Sequence, residues 1–237
     1  TFILMKLITF AAGNTAFLNM AENLKNSASE YETTIYTEMF LMHQEDFWTK
    51  HKDFITKNQR GYGYWLWKPF VIQQVMKTMQ NGEVLFYCDA DFILKKDKNF
   101  LEKLKKDVKN NKIITSSTKE KELKWNKTDT INRLGVTINE EDIQVQAGTL
   151  LIYVCDETRN LIDEWYSICC EKDYHYIDDS ASIKPNYVSF KEHRHDQSIF
   201  SLLLKKHNIP YDTSIMTVLM SHKIPIQNVR MRRRKKH

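Results

Sequence analysis
Glu83-Val84-Leu85-Phe86-Tyr87-Cys88-Asp89-Ala90-Asp91 is the stretch that decides the fold. After Glu83, Val84-Leu85-Phe86-Tyr87-Cys88 forms an apolar run, and the segment reads as a buried strand. Strand alternation puts residues two apart on the same side, so Asp89 and Asp91 are expected to leave the core together where the strand ends. In an open α/β sheet that end is the usual ligand crevice. Two carboxylates placed there suit a hard divalent cation whose remaining coordination comes from phosphate oxygens and water. An Asp-x-Asp tripeptide arises often by chance. One that closes a hydrophobic strand and follows Gly61-Tyr62-Gly63-Tyr64-Trp65-Leu66-Trp67-Lys68-Pro69 is much rarer.

Outward from this strand, strand-like and helix-like segments alternate, the signature of an α/β domain. Residues 5–12 read as the first strand and Gly13-Asn14 as the turn after it. Residues 16–27 then suit a helix, with Phe17, Met20, Ala21 and Leu24 at helical spacing. Residues 33–39 read as a second strand and 45–57 as a helix. Pro69 fits the first turn of another, where its missing N–H costs nothing. Val71, Ile72, Val75, Met76 and Met79 form that helix's apolar stripe, and Asn81-Gly82 ends it. Past Asp91 the pattern predicts a lysine-rich helix over 100–108, a strand over 113–117 and an irregular insertion over 125–142. A strand over 145–154, a helix over 158–170 and a second irregular stretch over 174–191 follow. A helix over 195–207 and a last strand over 215–219 precede a basic tail. No repeat and no Gly/Ser- or Pro-rich linker divides the chain, which reads as one domain over 1–228 with a tail at 229–237.

With 237 residues, 42% of them hydrophobic, the chain can bury a full core. Its formal charge of +5 is concentrated at the end. Arg230, Arg232, Arg233, Arg234, Lys235 and Lys236 supply six positive charges, so the remainder sums to −1. A near-neutral body argues against a nucleic-acid partner. The tail reads as solvated. Its alternative is weak attraction to an anionic membrane surface, at about 1 kcal/mol per basic residue. Cys88, Cys155, Cys169 and Cys170 show no C-x-x-C spacing and read as reduced thiols. They favour a reducing compartment. Residues 2–12 are apolar but too short to span a bilayer, and they lack the basic start and cleavage site of a signal peptide.

Further segments carry polar chemistry. Phe10-Ala11-Ala12-Gly13-Asn14 ends the first strand. Small residues there admit a nucleotide base to the backbone, and Asn14 suits either a helix N-cap or a hydrogen bond to that base. Over residues 61–69 the glycines permit unusual backbone angles, and the rings give either stacking surface or core. Lys68 is a mobile point charge just ahead of a helix, suited to a diphosphate or simply solvated. Gly148 in Gln146-Ala147-Gly148 admits close approach by a ligand or marks a bulge. Glu192-His193-Arg194-His195-Asp196-Gln197 is the densest polar cluster and opens a helix, where Asp196 reads as a first-turn acid complementing the helix dipole.

Taken in order, Phe10-Ala11-Ala12-Gly13-Asn14, the Asp89-Ala90-Asp91 strand, Gln146-Ala147-Gly148-Thr149-Leu150-Leu151-Ile152 and His195-Asp196-Gln197-Ser198-Ile199 resemble the GT-A glycosyltransferases of the family 8 type. The segments at 61–69 and 192–197 are more similar to small viral and bacterial nucleotide-diphospho-sugar transferases. The matches span residues 5–222. The resemblance implies an α/β, GT-A type Rossmann-like fold with a mainly parallel mixed sheet. It implies an enzyme that moves a sugar from a nucleotide diphosphate, a UDP-sugar favoured, to a hydroxyl of a glycan or glycoconjugate.

By the same resemblance Asp89 and Asp91, completed by His222, hold Mn2+ or Mg2+. Ala11, Ala12, Gly13, Asn14, Lys68, Asp89, Ala90, Gln146, Ala147, Gly148 and Lys223 are then donor contacts. Asp196 holds the donor sugar's hydroxyls and Gln197 lies near the anomeric carbon, with His193, Arg194 or His195 orienting Asp196. Gly13 and Asn14 stand where family 8 commonly has an acidic pair, which leaves the base open. Retention of anomeric configuration is implied. The alternatives are an inverting enzyme with Asp196 as general base and a non-catalytic module that binds sugar nucleotide or glycan. The expected location is the cytoplasm, of a bacterium or of a host cell if viral, with the tail allowing peripheral membrane contact.

Overall fold
The computed structural model describes residues 4–95, 98–213, 215 and 219–221. In chain order its first half comprises β1 (Met5–Ala11), α1 (Thr15–Ser27), β2 (Glu32–Thr37), α2 (Glu38–His43), α3 (Glu45–Lys57), α4 (Gly61–Tyr64), α5 (Trp67–Lys77), β3 (Val84–Cys88) and β4 (Phe92–Leu94). The second half comprises α6 (Lys98–Asn111), β5 (Ile113–Ile114), β6 (Ser117–Lys121), α7 (Glu122–Trp125), α8 (Thr128–Leu134), β7 (Ile143–Val145), β8 (Thr149–Tyr153), α9 (Asp156–Cys170), α10 (His195–Lys206), β9 (Tyr211–Asp212) and β10 (Leu219–Ser221).

The central sheet has the order β2-β1-β3-β8-β5-β9. β1 is parallel to both its neighbours. β8 runs antiparallel to β3 and β5, and β9 is parallel to β5. Of the six strands only β8 is reversed. The sheet is therefore the mostly parallel, mixed α/β sheet that the sequence implied.

Strand alternation sorts side chains between two cores. Ile8, Phe10, Leu85, Tyr87, Leu150 and Ile152 pack with apolar residues of α3, α5, α9 and α10. Met5, Leu7, Val84, Phe86, Cys88 and Leu151 pack with Leu24 of α1 and Leu101, Leu104 and Val108 of α6. A strand covered on both faces has no polar side, which is why β3 reads as an unbroken apolar run. Asn14 caps α1, its Oδ1 accepting from the Ala16 and Phe17 amides at 2.9 and 3.3 Å. Pro69 lies in the first turn of α5, as its chemistry requires.

Between α3 and α5 the backbone turns left-handed. Gly61, Tyr62, Gly63, Tyr64 and Trp65 have φ of 59°, 53°, 85°, 53° and 61°. For a non-glycine residue this conformation costs roughly 1–2 kcal/mol. A Cβ on Gly61 would lie 2.4 Å from the Trp65 ring, so that position must be glycine. The turn is fastened to the sheet by Trp67, whose indole N–H donates to the Gly61 carbonyl at 2.9 Å while its ring stacks on Phe10 at 4.0 Å.

The structure corrects several expectations. The second strand stops at Thr37, and Met39 belongs to α2, whose Leu41 is fully buried. Residues 145–154 are two strands: β7 pairs with β6, β8 with β3 and β5, and Gln146-Ala147-Gly148 crosses between the sheets. Residues 113–117 divide in the same way between β5 and β6. The stretch 125–142 is not wholly irregular. It holds α8, whose buried face mixes Asp129 and Thr130 with Ile131 and Leu134 and so hides the apolar period. Among the described residues the last strand is β10, antiparallel to β4; of the strand expected over 215–219, Ile215 lies outside any strand, Leu219 begins β10 and 216–218 lie outside the described residues. His222, Lys223 and the tail at 230–236 lie outside the described residues.

Candidate active site
β3 ends at Cys88, and Asp89 to Phe92 form a turn closed by the Phe92 amide donating to the Asp89 carbonyl at 3.2 Å. Strand alternation therefore does not align the two acids, because pairing stops before the first of them. Asp89 is half-buried and Asp91 exposed, presented by the turn at the C-terminal edge of β3.

Lys68 in the first turn of α5 sits over this edge. Its ammonium lies 3.2 Å from Asp89 Oδ1 and 3.2 Å from Asp196 Oδ2. The side chain is 3% exposed, so Lys68 is neither mobile nor solvated. The rings of Tyr87 and Trp67, with centroids 5.4 and 5.9 Å from Nζ, wall it in. The Tyr87 hydroxyl donates to Asp89 Oδ1. Asp196 opens α10 as expected, but as a buried group rather than a surface dipole partner. The Trp165 indole N–H donates to its carbonyl at 2.9 Å.

Burial pushes the Asp196 carboxyl up to about 6, with Lys68 opposing the rise and Asp89 adding to it. Burial acts to lower the Lys68 pKa, but Asp196 and Asp89 together more than offset it and hold it above the ordinary lysine value. At neutral pH the group is one cation shared by two anions. Such buried clusters are poor sources of net stability compared with apolar packing. Gathered from three elements at a ligand crevice, this one points to chemistry.

Gly148 forms the floor under Asp89. The Asp89 amide donates to the Gly148 carbonyl at 2.7 Å, and a Cβ on Gly148 would lie 2.7 Å from Asp89 Oδ2. Gly148→Ala is therefore expected to displace the carboxylate, at about 1–3 kcal/mol of overpacking. A ligand that depends on Asp89 should bind about tenfold or more weakly by calorimetry, tenfold being 1.4 kcal/mol. Unchanged affinity for every ligand of the crevice would mean that Asp89 takes no part in binding.

Ala11 and Ala90, at the ends of adjacent parallel strands, share a small cluster with Met20 and Ala21. Ala12 packs half-buried against the main core. Gly13 has φ +88° and open space around it. Gln146 donates its amide to the Ser116 carbonyl at 2.7 Å and accepts from Thr115 Oγ1 at 2.7 Å, while Ala147 is fully buried. Gln197 Nε2 donates to Gln144 Oε1 at 2.7 Å.

His193 is buried, its Nε2–H donated to the Tyr176 carbonyl at 2.8 Å and its Nδ1 accepting the Lys127 amide at 3.2 Å. His195 donates Nδ1–H to the Ile177 carbonyl at 2.7 Å and stacks on Tyr64 and Trp65. Arg194 lies on the Trp125 ring, its guanidinium carbon 3.8 Å from the centroid. Neither histidine hydrogen-bonds the Asp196 carboxylate; Lys68 orients it instead. Trp67 belongs to the core and Trp65 is half-buried.

Two residues of the cluster escape a motif search. Tyr87 stands two before Asp89, and that spacing is its only signal. Gln144 has none. Among the described residues no group of three or more His, Cys, Asp or Glu side chains is gathered to hold a metal ion. Asp89 and Asp91 are nevertheless hard oxygen donors, and Asp89 Oδ2 occupies space that any Cβ at 148 would fill. One or two carboxylates completed by substrate phosphates is the usual Mg2+-type site. The residues present fit such a cation.

The mostly parallel α/β sheet with an acidic turn at its strand ends is the arrangement that the resemblance to GT-A glycosyltransferases implied. The profile of the galactosyl transferase GMA12/MNN10 family matches residues 18–229, and the chain belongs to that family. It is a sugar-transferring enzyme. Solved structures similar to it include mouse xyloside xylosyltransferase 1 in its apo form, at 11% identity over 89% of this chain and 85% of that one, with a TM-score of 0.49. The galactosyltransferase LgtC in complex with donor and acceptor sugar analogues is 16% identical over 87% of this chain and 73% of that one, with a TM-score of 0.46. A glycosyltransferase involved in glycosylating the major capsid of PBCV-1 is 11% identical over 80% and 82%, with a TM-score of 0.40. A search of curated proteins gives no match.

Proposed function
We propose that the enzyme moves a sugar from a nucleotide diphosphate, a UDP-sugar favoured, to a hydroxyl of a glycan or glycoconjugate, using Mn2+ or Mg2+ and retaining anomeric configuration. The observation that carries this reading is the buried Lys68 ammonium joining Asp89 at the end of β3 to Asp196 at the start of α10. It ties a metal-side acid to a sugar-side acid across the crevice.

In this reading Asp89 and Asp91 hold the cation, which when bound stabilises charge on the departing diphosphate, worth several kcal/mol. Asp196 accepts hydrogen bonds from the donor sugar's hydroxyls. Gln197, fixed by Gln144, presents its amide near the anomeric carbon. Lys68 fixes the separation of the two acids and adds positive charge beside the diphosphate. Ala11, Ala12, Gly13 and Ala90 give the base a flat wall. Asn14 Oδ1 is engaged as a cap, so that side chain offers the base only its amide donor. A general base must reach the acceptor's proton. The Lys68 ammonium 3.2 Å from Asp196 Oδ2 opposes a general-base role for that oxygen, and retention rests on the resemblance. The four free thiols, two of them buried, support a reducing compartment.

Thermal shift against a panel of sugar nucleotides, with and without Mn2+, tests the reading. A ligand at a hundred times its Kd adds about 2.7 kcal/mol, roughly 5–10 °C for a domain this size. A shift that needs Mn2+ is expected for one base. No shift with any sugar nucleotide would contradict the proposal. NMR of the product anomer then separates retention from inversion.

A further inference from the structure
The irregular segment ahead of α10 is tied down by charged and polar groups of the α8 region. Lys127, 2% exposed, donates to the carbonyls of His175 and Ser180 and pairs with Asp178 at 3.1 Å. The first amides of a helix have no partner within it. Those of Thr128 and Asp129 donate instead to Asn186 Oδ1 at 2.9 Å and to Ser182 Oγ at 3.2 Å. The Asp129 carboxylate accepts the Ile183 and Lys184 amides at 2.6 and 3.1 Å. Further on, the Lys191 amide donates to the Lys124 carbonyl at 2.8 Å.

This anchoring inverts the usual polarity of a surface loop. Ser182 and Asn186 direct their polar groups at the protein body, and the apolar side chains are left outside. Ile183 is 79% exposed, Tyr187 45% and Val188 fully. They are three of the eight large hydrophobic residues exposed among the described ones, and they fall within six positions. A single exposed hydrophobic residue needs no explanation, whereas a cluster marks an interaction site. The segment cannot turn these side chains inward without breaking the bonds at 182–184, 186 and 191. Its charge is equally one-sided. Residues 180–191 contain no Asp or Glu, and Lys184 and Lys191 are exposed. The acids at its base are already paired, Asp178 with Lys127, and Asp179 and Glu192 with Arg60 at 3.3 and 3.6 Å.

We infer that the tip formed by Ile183, Tyr187 and Val188 docks on an anionic lipid bilayer. The apolar side chains enter the boundary between headgroups and acyl chains, and Lys184 and Lys191 meet lipid phosphates. A stable protein partner needs a packed, complementary interface of about 1,200 Å2 or more. A lipid surface accepts a narrow projecting tip without matching its shape. Tyrosine and lysine flanking aliphatic side chains suit that boundary, because each has an apolar body and a polar end. The inference is independent of the sugar-transfer reading and of the basic tail.

Flotation of the full chain with vesicles of phosphatidylcholine alone, and with vesicles rich in phosphatidylglycerol, tests the inference. The chain should bind the anionic vesicles and bind the neutral ones much more weakly. Such binding depends on buried apolar area and on attraction to anionic lipid together. Ile183→Ser with Val188→Ser, and separately Lys184→Gln with Lys191→Gln, should therefore each weaken it about tenfold or more, tenfold being 1.4 kcal/mol. Both pairs should melt within a degree or two of wild type, because exposed substitutions change stability little. The loop effects should persist in a tail variant carrying Arg232→Gln, Arg233→Gln and Arg234→Gln. No binding to anionic vesicles, wild-type binding by either loop pair, or binding that the tail substitutions alone abolish would overturn the inference. So would a dimer in sedimentation velocity that Ile183→Ser with Val188→Ser dissolves, since the tip would then be a contact between copies of the chain.

Discussion

Asp196→Asn is expected to lower turnover by roughly a thousandfold, about 4 kcal/mol at 1.36 kcal/mol per tenfold, while uridine diphosphate binds as in the wild type. The donor sugar loses its anionic acceptor, and the nucleoside diphosphate has no sugar to lose. A merely structural first-turn acid would cost about 0.3–1 kcal/mol of stability and spare turnover. The pH dependence of stability separates the cases further. The folded Asp196 carboxyl titrates at about 6, above its ordinary 3.8, so the folded chain binds the extra proton between those values. Its contribution to stability is present below about pH 4 and lost as pH rises through 6. The Asn variant has no such loss. Denaturant melts should therefore move in the variant's favour between pH 4 and pH 7.5, by on the order of 2–3 kcal/mol at 1.36 kcal/mol per unit. Normal turnover with parallel stability curves would remove Asp196 from the site.

Lys68→Met should produce the largest loss of stability. It removes the cation shared by Asp89 and Asp196 and leaves two carboxylates facing one another in a buried space. Removing one partner of a buried ion pair costs about 3–5 kcal/mol, roughly 6–20 °C in Tm at 2–4 °C per kcal/mol. The deficit should narrow toward pH 5, where Asp196 takes up a proton and the repulsion falls. Donor affinity should drop ten- to a hundredfold, about 1.4–2.7 kcal/mol at 1.36 kcal/mol per tenfold, because Asp89 and Asp196 lose the cation that holds them in place. A solvated surface lysine would change stability by no more than about 0.5 kcal/mol. A Tm within a degree or two of wild type would return Lys68 to that role.

These forecasts rest on features the sequence displayed unevenly. β3 was legible because burial on both faces removes every polar residue from its run, and the acids after Cys88 mark where burial ends. Asn14 as a cap, Pro69 in a first turn and the glycines of 61–63 were legible because each residue type has one backbone habit. The placement of Lys68 was not. Its charge suggests solvent, and only the approach of α5 and α10 to the end of β3 makes burial between two carboxylates tolerable. Asp89 and Asp91 were legible as a pair but not in their geometry, since a turn is invisible to an argument from alternation. Strand-like sequence on both sides, 143–145 and 149–153, hid the crossing at Gln146-Ala147-Gly148, because both sheets need the same residue types. The anchoring of the 179–193 segment by Lys127 and Asp129 had no sequence signal. Charged residues in a polar stretch read as surface until long-range partners bury them.

The measurement that bears most directly on the account is an electron paramagnetic resonance titration of Mn2+ into the protein with and without uridine diphosphate, for wild type and Asp91→Asn. One Mn2+ per chain should bind tightly only when the nucleotide is present, and Asp91→Asn should abolish that site without lowering Tm in the absence of ligand. Uridine diphosphate bound equally well in EDTA, or Mn2+ bound equally by Asp91→Asn, would contradict a cation-bridged donor at the end of β3.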